Sequence, residues 1–188
     1  ARENAAMSVY DVIVIGSGPG GEGAAMKCAK EGRSVAVVES YREVGGGCTH
    51  WGTIPSKALR HSVGRLVELR TNPLAGHHVT NDDVAISRLV STADSVIRKQ
   101  VEMRRGFYER NGVKLIHGLA RLADDHTVEI DEHHGGKEKL TAKNIVIATG
   151  SRPYHPKGVD FAHERIRDSD TILGLKQTPH SITIYGAG

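Results

Sequence analysis

The first forty positions of the chain alternate between apolar runs and a helical pattern. Tyr10–Gly16 (YDVIVIG) and Ser34–Glu39 (SVAVVE) are β-branched apolar runs, which are typical of strands buried on both faces of a parallel sheet. Between them, Pro19–Gly32 carries small residues on one side and predicts a helix. This β-α-β order predicts a parallel sheet with a right-handed crossover.

Two later segments carry apolar residues at helical spacing. The first is Ser56–Arg70, and the second covers about Asp82–Asn111. Period-two alternation then returns in Val113–Asp131, and Gly135-Gly136 suits the turn of a hairpin. The last strand of this unit is predicted at Ile145–Gly150. The sequence therefore predicts an α/β domain with a parallel sheet, long helices and a small antiparallel β insertion.

The pattern changes after residue 150. Ser151–Asp160 contains two prolines and predicts an irregular linker, whereas Ser181–Gly188 (SITIYGAG) predicts another buried strand that runs into a Gly186-x-Gly188 turn. We therefore expect four parts: an extension at residues 1–9, a domain at 10–152, a connecting segment at 153–180 and the start of a second unit at 181–188.

Composition excludes several classes of protein. The chain has 188 residues, of which 38% are hydrophobic and 25% charged, and a formal charge of +3. Acids interrupt the basic run Arg98–Arg110, which favours a solvated helix face over a nucleic-acid patch. No apolar run is long enough to span a bilayer, the N-terminal residues lack an apolar signal core, and Cys28 and Cys48 are too few for a disulfide scaffold. We expect a cytoplasmic protein without nucleic-acid or membrane partners.

The first glycine-rich turn has the spacing of a dinucleotide-binding fingerprint. It consists of Gly16, Ser17, Gly18, Pro19, Gly20 and Gly21. The first glycine of Gly-x-Gly-x-x-Gly permits a tight turn, the second lets the backbone approach a pyrophosphate, and the third lets the helix pack closely on the strand. The pyrophosphate then lies at the positive end of the helix. Because the turn joins a predicted strand to a predicted helix, we favour a Rossmann-like site over an ordinary glycine-rich turn.

Glu39 ends the second predicted strand, at about the position where an acid accepts hydrogen bonds from a ribose. An acid there, rather than a basic residue, argues against a 2′-phosphate on this nucleotide.

A second motif, Val44–Lys57 (VGGGCTHWGTIPSK), surrounds one cysteine. It resembles the flavin-dependent pyridine nucleotide–disulfide oxidoreductases, whose members show Gly-Gly-x-Cys-x-x-x-x-Cys-x-Pro-x-Lys at this place. The matching residues are Gly46, Gly47, Cys48, Ile54, Pro55 and Lys57, while Thr53 stands where the second cysteine would be.

Other segments support the same resemblance, which implies FAD at the first site. Ile145–Pro153 (IVIATGSRP) resembles the second flavin-contacting strand and turn of the family. The segment Arg167–Leu173 also resembles sequences of the family. Gly186 and Gly188 resemble the start of an NAD(P)-binding Rossmann-like unit. The residues that the resemblance assigns to FAD are Gly16, Gly18, Pro19, Gly20, Gly21, Glu39, Gly46, Gly47, Cys48, Lys57, Thr149, Gly150 and Arg152.

Thr53 carries the main mechanistic expectation. In disulfide reductases, reduced flavin passes electrons into a disulfide, and threonine cannot take that role. Cys28 lies in a predicted helix among alanines and is expected to be a small packed residue rather than a partner for Cys48. The resemblance then implies a flavoprotein that exchanges hydride between NADPH and NAD+ through FAD, a transhydrogenase reaction, with NAD(H) and NADP(H) as substrates.

Roles for individual residues follow from the resemblance. Lys57 is expected near the reactive edge of the flavin, where a cation stabilises the reduced, anionic form; the alternative is a solvated lysine. Thr53 is expected to cap the helix that begins near Pro55 and to belong to the flavin environment. Cys48 is either a cofactor contact or a packed remnant. His50 and Trp51 either fill the space left by the lost disulfide or shape access for the acceptor, and filling is favoured.

Three hypotheses of function remain open from the sequence. The favoured one is the transhydrogenase reaction by a full-length homo-oligomer. The others are a flavin-dependent diaphorase or quinone reductase, and a flavin-binding fragment without activity. The adjacent pairs His77-His78 and His133-His134 lack metal-ligand spacing, and no metal is expected.

Overall fold

The computed structural model of the chain describes residues 8–73 and 86–186. Its strands are β1 Ser8–Ile15, β2 Val35–Glu39, β3 Lys114–Leu122, β4 Thr127–Glu132 and β5 Lys137–Ile147, and its helices are α1 Pro19–Lys30, α2 Gly46–His50, α3 Thr53–Thr71 and α4 Ile86–Arg110, with a short 3-10 helix at Ile172–Gly174. The predicted β-α-β order at the start of the chain is confirmed.

The five strands form one closed arrangement. β1 pairs in parallel with β2 and β5, and β2 pairs in parallel with β3. β4 closes the ring by pairing antiparallel with both β3 and β5. The predicted antiparallel part is present, and it is joined to the parallel part because β3 and β5 each take part in a parallel ladder and in an antiparallel ladder.

The core of this arrangement is aliphatic. Where one strand supplies two residues of this core, they lie two positions apart, as the pleat requires, although every residue of β2 is buried. The core residues share the inner face of the ring. They are Ile13, Ala36, Val38, Ile116, Val128, Ile130, Leu140 and Ala142.

The chain divides into two compact units, which we describe separately. One comprises residues 1–50 and 98–152, and the other comprises residues 51–97 and 153–188. The first carries the sheet, α1, α2 and the second half of α4; the other carries α3, the first half of α4 and the segment after residue 152. The boundaries expected at residues 9, 152 and 180 stay predictions.

Helix α3 begins earlier than its apolar pattern indicates. Its first residue is Thr53, its N-cap is Gly52, and no side chain caps it. The prediction that Thr53 caps this helix is therefore wrong. Pro55 is accommodated because the first N–H groups of a helix have no intrahelical partner.

The segment after residue 150 is irregular, as predicted. Around Asp168, the carboxylate accepts hydrogen bonds from the hydroxyl and backbone N–H of Thr171, at 2.6 and 2.8 Å, and from Nε2 of His155 at 2.7 Å. These contacts, the Thr171 hydroxyl first, hold the pKa of Asp168 well below its usual range. The tight turn at residues 168–171 thus depends on side-chain hydrogen bonds rather than on a ladder.

The buried strand predicted at Ser181–Gly188 is wrong over residues 181–186. These residues form no strand, and Ile184 is 83% exposed. A strand requires a hydrogen-bonded neighbour, and no strand of the described part of the chain pairs with this segment. Gly186 has a φ of +112°. Gly188, His77 and His78 lie outside the described residues, as do the first four residues of the helix predicted at Asp82–Asn111.

Candidate functional site

The fingerprint turn lies between β1 and α1 and is fixed by two glycines. Gly16 has a φ of +103°, and a Cβ atom there would overlap the carbonyl oxygen of Ala148. At Gly21, a Cβ atom would overlap the carbonyl oxygen of Gly16. Both positions therefore require glycine for packing within the chain.

At two other glycines of the turn, packing within the described chain leaves room for a Cβ atom. A Cβ atom at Gly18 would meet only the α-carbon of Gly46, at an ordinary 3.9 Å, and one at Gly20 would have no neighbour within 4 Å. Packing within the described chain does not require glycine at these two positions. A ligand that approaches the backbone closely would explain them.

The start of α1 has the properties of an anion site. Gly18 is its N-cap, no side chain caps the helix, and the exposed Pro19 occupies its first position. The first N–H groups of a helix lack intrahelical partners and carry the positive end of its dipole. A phosphate group placed there would accept those hydrogen bonds.

Glu39 lies beside the fingerprint turn, at the end of β2, and is only 5% exposed. Its carboxylate accepts hydrogen bonds from the backbone N–H of Ser17 at 2.9 Å, from the Ser17 hydroxyl, and from the N–H of Tyr41 at 2.7 Å. A carboxylate offers about four acceptor positions, so one remains for a further donor such as a ribose hydroxyl.

Ser17 joins the two glycine-rich loops. Its hydroxyl oxygen accepts a hydrogen bond from the N–H of Gly45 at 2.9 Å while it donates to Glu39. No role for Ser17 could be predicted from the sequence, because a buried serine inside a fingerprint has no distinguishing pattern.

The cysteine loop packs directly on the fingerprint turn. Gly45 and Gly46 have φ values of +112° and +59°. A Cβ atom at Gly46 would lie 2.7 Å from the α-carbon of Gly18. The two motifs, 28 positions apart between Gly18 and Gly46 in the sequence, are thus one structural feature.

Cys48 lies in the short helix α2, which begins at Gly46. Its thiol is partly buried and free, and so is that of Cys28. Gly47 precedes it in α2 and is also partly buried. His50, which follows in α2, places Nε2 2.9 Å from the carbonyl oxygen of Val44 and its ring 4.7 Å from that of Tyr41. His50 therefore ties the cysteine loop together.

The end of β5 also reaches the fingerprint turn. Ala148 donates its N–H to the carbonyl of Ile15 at 2.8 Å, and the α-carbon of Thr149 lies 3.4 Å from a Cβ position on Gly16. Thr149 and Gly150 are exposed, Gly150 with a φ of +73°, and Arg152 is exposed two positions later. The first unit thus brings the Thr149 backbone beside the predicted dinucleotide turn.

Thr53 and Lys57 belong to the other compact unit. Thr53 is the exposed first residue of α3, and Lys57 is exposed about one turn later on the same helix. Their placement near a flavin stays a prediction.

Helix α4 contributes charges that no sequence motif marks. Nε of Arg104 lies 3.0 Å from Oε2 of Glu22 in the first turn of α1, and Arg105 donates to Glu43 at 2.6 Å. Arg104 is only 9% exposed, so the interpretation of Arg98–Arg110 as a solvated face is wrong at this residue. The sequence does not reveal the ion pair of Arg104 with Glu22, because the two residues are 82 positions apart.

Tyr108, one turn beyond Arg104, is almost completely buried. Burial raises the pKa of its hydroxyl well above the usual range, and the carboxylates of Glu22 and Glu39 raise it further, while Arg104 opposes them. The second half of α4 therefore brings Arg104 and the buried Tyr108 close to Glu22, in the first turn of α1.

Neither a metal site nor a membrane helix is found in the described part of the chain. Residues 8–73 and 86–186 contain no group of three histidine, cysteine or acidic side chains placed to hold a metal ion. None of the helices in those ranges is both long and apolar enough to cross a membrane.

Comparison with known proteins identifies the family. Residues 10–188 match the family described as pyridine nucleotide-disulphide oxidoreductase. The chain belongs to this family. The predicted α/β, Rossmann-type class is thereby confirmed, as is the family resemblance seen in the glycine and cysteine motifs.

Similar members of the family share one description. The soluble pyridine nucleotide transhydrogenases of Escherichia coli O1:K1 / APEC and Klebsiella pneumoniae subsp. pneumoniae are each 56% identical to this chain over 179 residues. That of Salmonella paratyphi B is 55% identical over the same length. Each alignment covers 95% of this chain but only 38% of the relative.

Proposed function

We propose that the full-length protein containing this chain is an FAD-dependent oxidoreductase that exchanges hydride between NADPH and NAD+ without a redox-active disulfide. The observation that carries the proposal is the cysteine loop. It packs on the fingerprint turn, holds Cys48 as a free thiol, and has Thr53 where disulfide reductases have their second cysteine.

Several features of the first unit support the binding of FAD. Gly18 and Gly20 leave the backbone open, and the uncapped start of α1 suits the diphosphate. Glu39 keeps an acceptor position for the adenosine ribose, and Gly46, Gly47, Cys48 and Thr149 would line the path toward the flavin ring. FAD supplies reversible acceptance and release of a hydride when it is bound.

The chain's own residues orient and tune that chemistry. The hydroxyl of Thr53 cannot form a disulfide, and Cys48 has no partner thiol within the described residues. Lys57 would place a cation beside the flavin, where it favours the reduced, anionic form. The proposed roles of Gly150 and Arg152 are weaker contacts with FAD.

The relatives support the choice of substrates. The proteins that align with 95% of this chain are named soluble pyridine nucleotide transhydrogenases. We therefore propose NAD(H) and NADP(H) as substrates and a homo-oligomeric full-length protein. One nicotinamide site used in turn by both dinucleotides would give ping-pong kinetics.

The test is hydride exchange by the purified full-length protein. NADPH is supplied with an NAD+ analogue whose reduced form absorbs at a distinct wavelength, and bound FAD is quantified from its spectrum. We expect stoichiometric FAD and steady exchange. Flavin without exchange, or exchange that is much slower than quinone reduction under the same conditions, would support the diaphorase hypothesis instead; a protein without flavin would reject both.

A further inference from the structure

Two carboxylates, those of Glu22 and Glu39, lie close to the fingerprint turn. Glu22 and Glu39 both lie close enough to Tyr108 to raise the pKa of its hydroxyl, and Arg104 is the cation that opposes them. The side chains of Arg104 and Glu22 are only 11% and 19% exposed. Solvent therefore screens the charge of Glu22 less than it would screen a surface carboxylate.

Glu22 lies where its charge matters for an anionic ligand. It directly follows Gly21 and is the acidic residue of the first turn of α1. A carboxylate at this end of a helix interacts favourably with the dipole and repels a second anion bound at the same end. Without compensation, Glu22 would oppose the binding of a diphosphate to the fingerprint.

Arg104 is held in place to supply that compensation. Its Nε lies 3.0 Å from Oε2 of Glu22. Its Nη1 donates to the side-chain oxygen of Gln100 and, at 3.4 Å, to the carbonyl oxygen of Gln100 one turn earlier on α4. The ion pair through Nε and the hydrogen bonds through Nη1 hold the guanidinium beside Glu22.

We propose that Arg104 is a positioning residue for the dinucleotide: it neutralises Glu22 so that the positive end of α1 is available to the diphosphate of FAD. The inference rests on the proposed binding of FAD to this turn. It assigns a role in cofactor binding to a residue 83 positions beyond Gly21 that does not itself belong to either glycine motif.

A purely structural ion pair is the competing explanation. A pair of this burial adds little net stability, but removing one partner leaves an uncompensated charge. Both explanations predict some destabilisation when Arg104 alone is changed. They differ in the double variant, because removing both charges relieves the repulsion of the diphosphate without restoring the pair.

The experiment measures FAD affinity for the full-length protein after removal of bound flavin. The variants are Arg104→Gln, Glu22→Gln and the double variant Glu22→Gln/Arg104→Gln. The control is Lys27→Gln, which removes one positive charge and an exposed ion pair from α1. Dissociation constants are obtained from the quenching of FAD fluorescence at low and high salt, and the melting temperature of each flavin-free variant is recorded separately.

We expect Arg104→Gln to raise the dissociation constant roughly tenfold at low salt, the size of effect for one unneutralised charge near an anion at a partly buried site. This loss of FAD affinity should be smaller at high salt, because salt screens the repulsion between Glu22 and the diphosphate. The dissociation constants for FAD of the double variant and of the control should stay within about twofold of the wild-type value, since neither variant leaves an uncompensated carboxylate at the turn.

Two results would overturn the proposal. One is a double variant that binds FAD as weakly as Arg104→Gln does, and the other is unchanged affinity in Arg104→Gln. If Arg104→Gln does not fold, Glu22→Gln alone decides: we expect FAD binding as tight as wild type or tighter, and weaker binding would contradict the role of Arg104. A wild-type protein that binds no FAD at all rejects the proposed function rather than this inference.

Discussion

Gly46 shows how single residues build this site. Its left-handed backbone, with a φ of +59°, brings the cysteine loop so close to Gly18 that the two backbones leave no room for a side chain at position 46. The family resemblance marks this glycine without giving its reason. The structure supplies the reason, because a side chain there would separate the cysteine loop from the fingerprint turn.

Gly46→Ala is expected to lower the free energy of unfolding by about 2–4 kcal/mol, through backbone strain and a clash with Gly18. FAD affinity should fall as well, because the two loops move apart. Urea unfolding and FAD titration of the full-length variant check both effects. Gly23→Ala is the matched control: its Cβ atom has no neighbour within 4 Å, so its stability should equal or slightly exceed that of wild type. Equal free energies of unfolding for Gly46→Ala and Gly23→Ala would contradict the steric explanation.

Lys57 is the residue whose proposed role is chemical rather than steric. Lys57→Met removes a cation proposed to lie beside the flavin and should lower the rate of hydride exchange roughly a hundredfold, the range seen for a lost electrostatic contact in an active site. FAD content should stay near wild type. Arg60→Met removes another exposed cation of α3 and should leave the rate unchanged. Similar rates of hydride exchange in both variants would show that Lys57 is a solvated lysine without a role in the reaction.

At the scale of elements, one aspartate of β1 links this strand to β5 and to the residue that precedes β2. The carboxylate of Asp11, in β1, accepts hydrogen bonds from Nζ of Lys143 in β5 at 2.8 Å and from the N–H and hydroxyl of Ser34, just before β2, at 2.9 and 3.0 Å. These contacts, that of Lys143 first, hold the pKa of Asp11 well below its usual range.

Because folding lowers this pKa, the stabilisation by Asp11 is complete above the unfolded-state pKa and is lost as the pH falls through the folded-state value. The urea concentration at the unfolding midpoint should therefore be lower for Asp11→Asn than for wild type. This difference should be constant from pH 8 to pH 6. The difference should narrow as the pH falls below about 4. Asp125→Asn, an exposed aspartate between β3 and β4, serves as the control. A difference for Asp11→Asn that does not change with pH would show that its charge is irrelevant.

Most elements could be predicted from the sequence because their patterns are local. The apolar runs predicted β1 and β2 correctly, and Gly135-Gly136 predicted the turn between β4 and β5. The strand predicted at Ile145–Gly150 is wrong in its bounds, because β5 runs from Lys137 to Ile147. Helix α2 was missed, since five residues that begin with two glycines carry no helical pattern. The segment at 181–186 was predicted wrongly, because an apolar run specifies a strand only when a neighbour pairs with it.

At the scale of the whole molecule, the chain spans 38% of the length of the relatives it matches. The glycine and cysteine motifs were sufficient to predict the family, because the residues and their spacing can be recognised in the sequence alone. The contacts of Ser17 with Glu39 and of Arg104 with Glu22 could not be predicted, since the partners meet only through the fold. The proposed exchange between NADPH and NAD+ is therefore tested with the full-length protein.

The central claim is that electrons leave the flavin without passing through a disulfide. Anaerobic titration of the full-length protein with dithionite, followed by the flavin spectrum, tests it most directly. We predict complete reduction after uptake of two electrons per bound FAD, because Thr53 cannot form a disulfide with Cys48 that would accept two more. Uptake of four electrons, with a long-wavelength thiolate–flavin band after the first two, would show a redox-active disulfide and contradict the account.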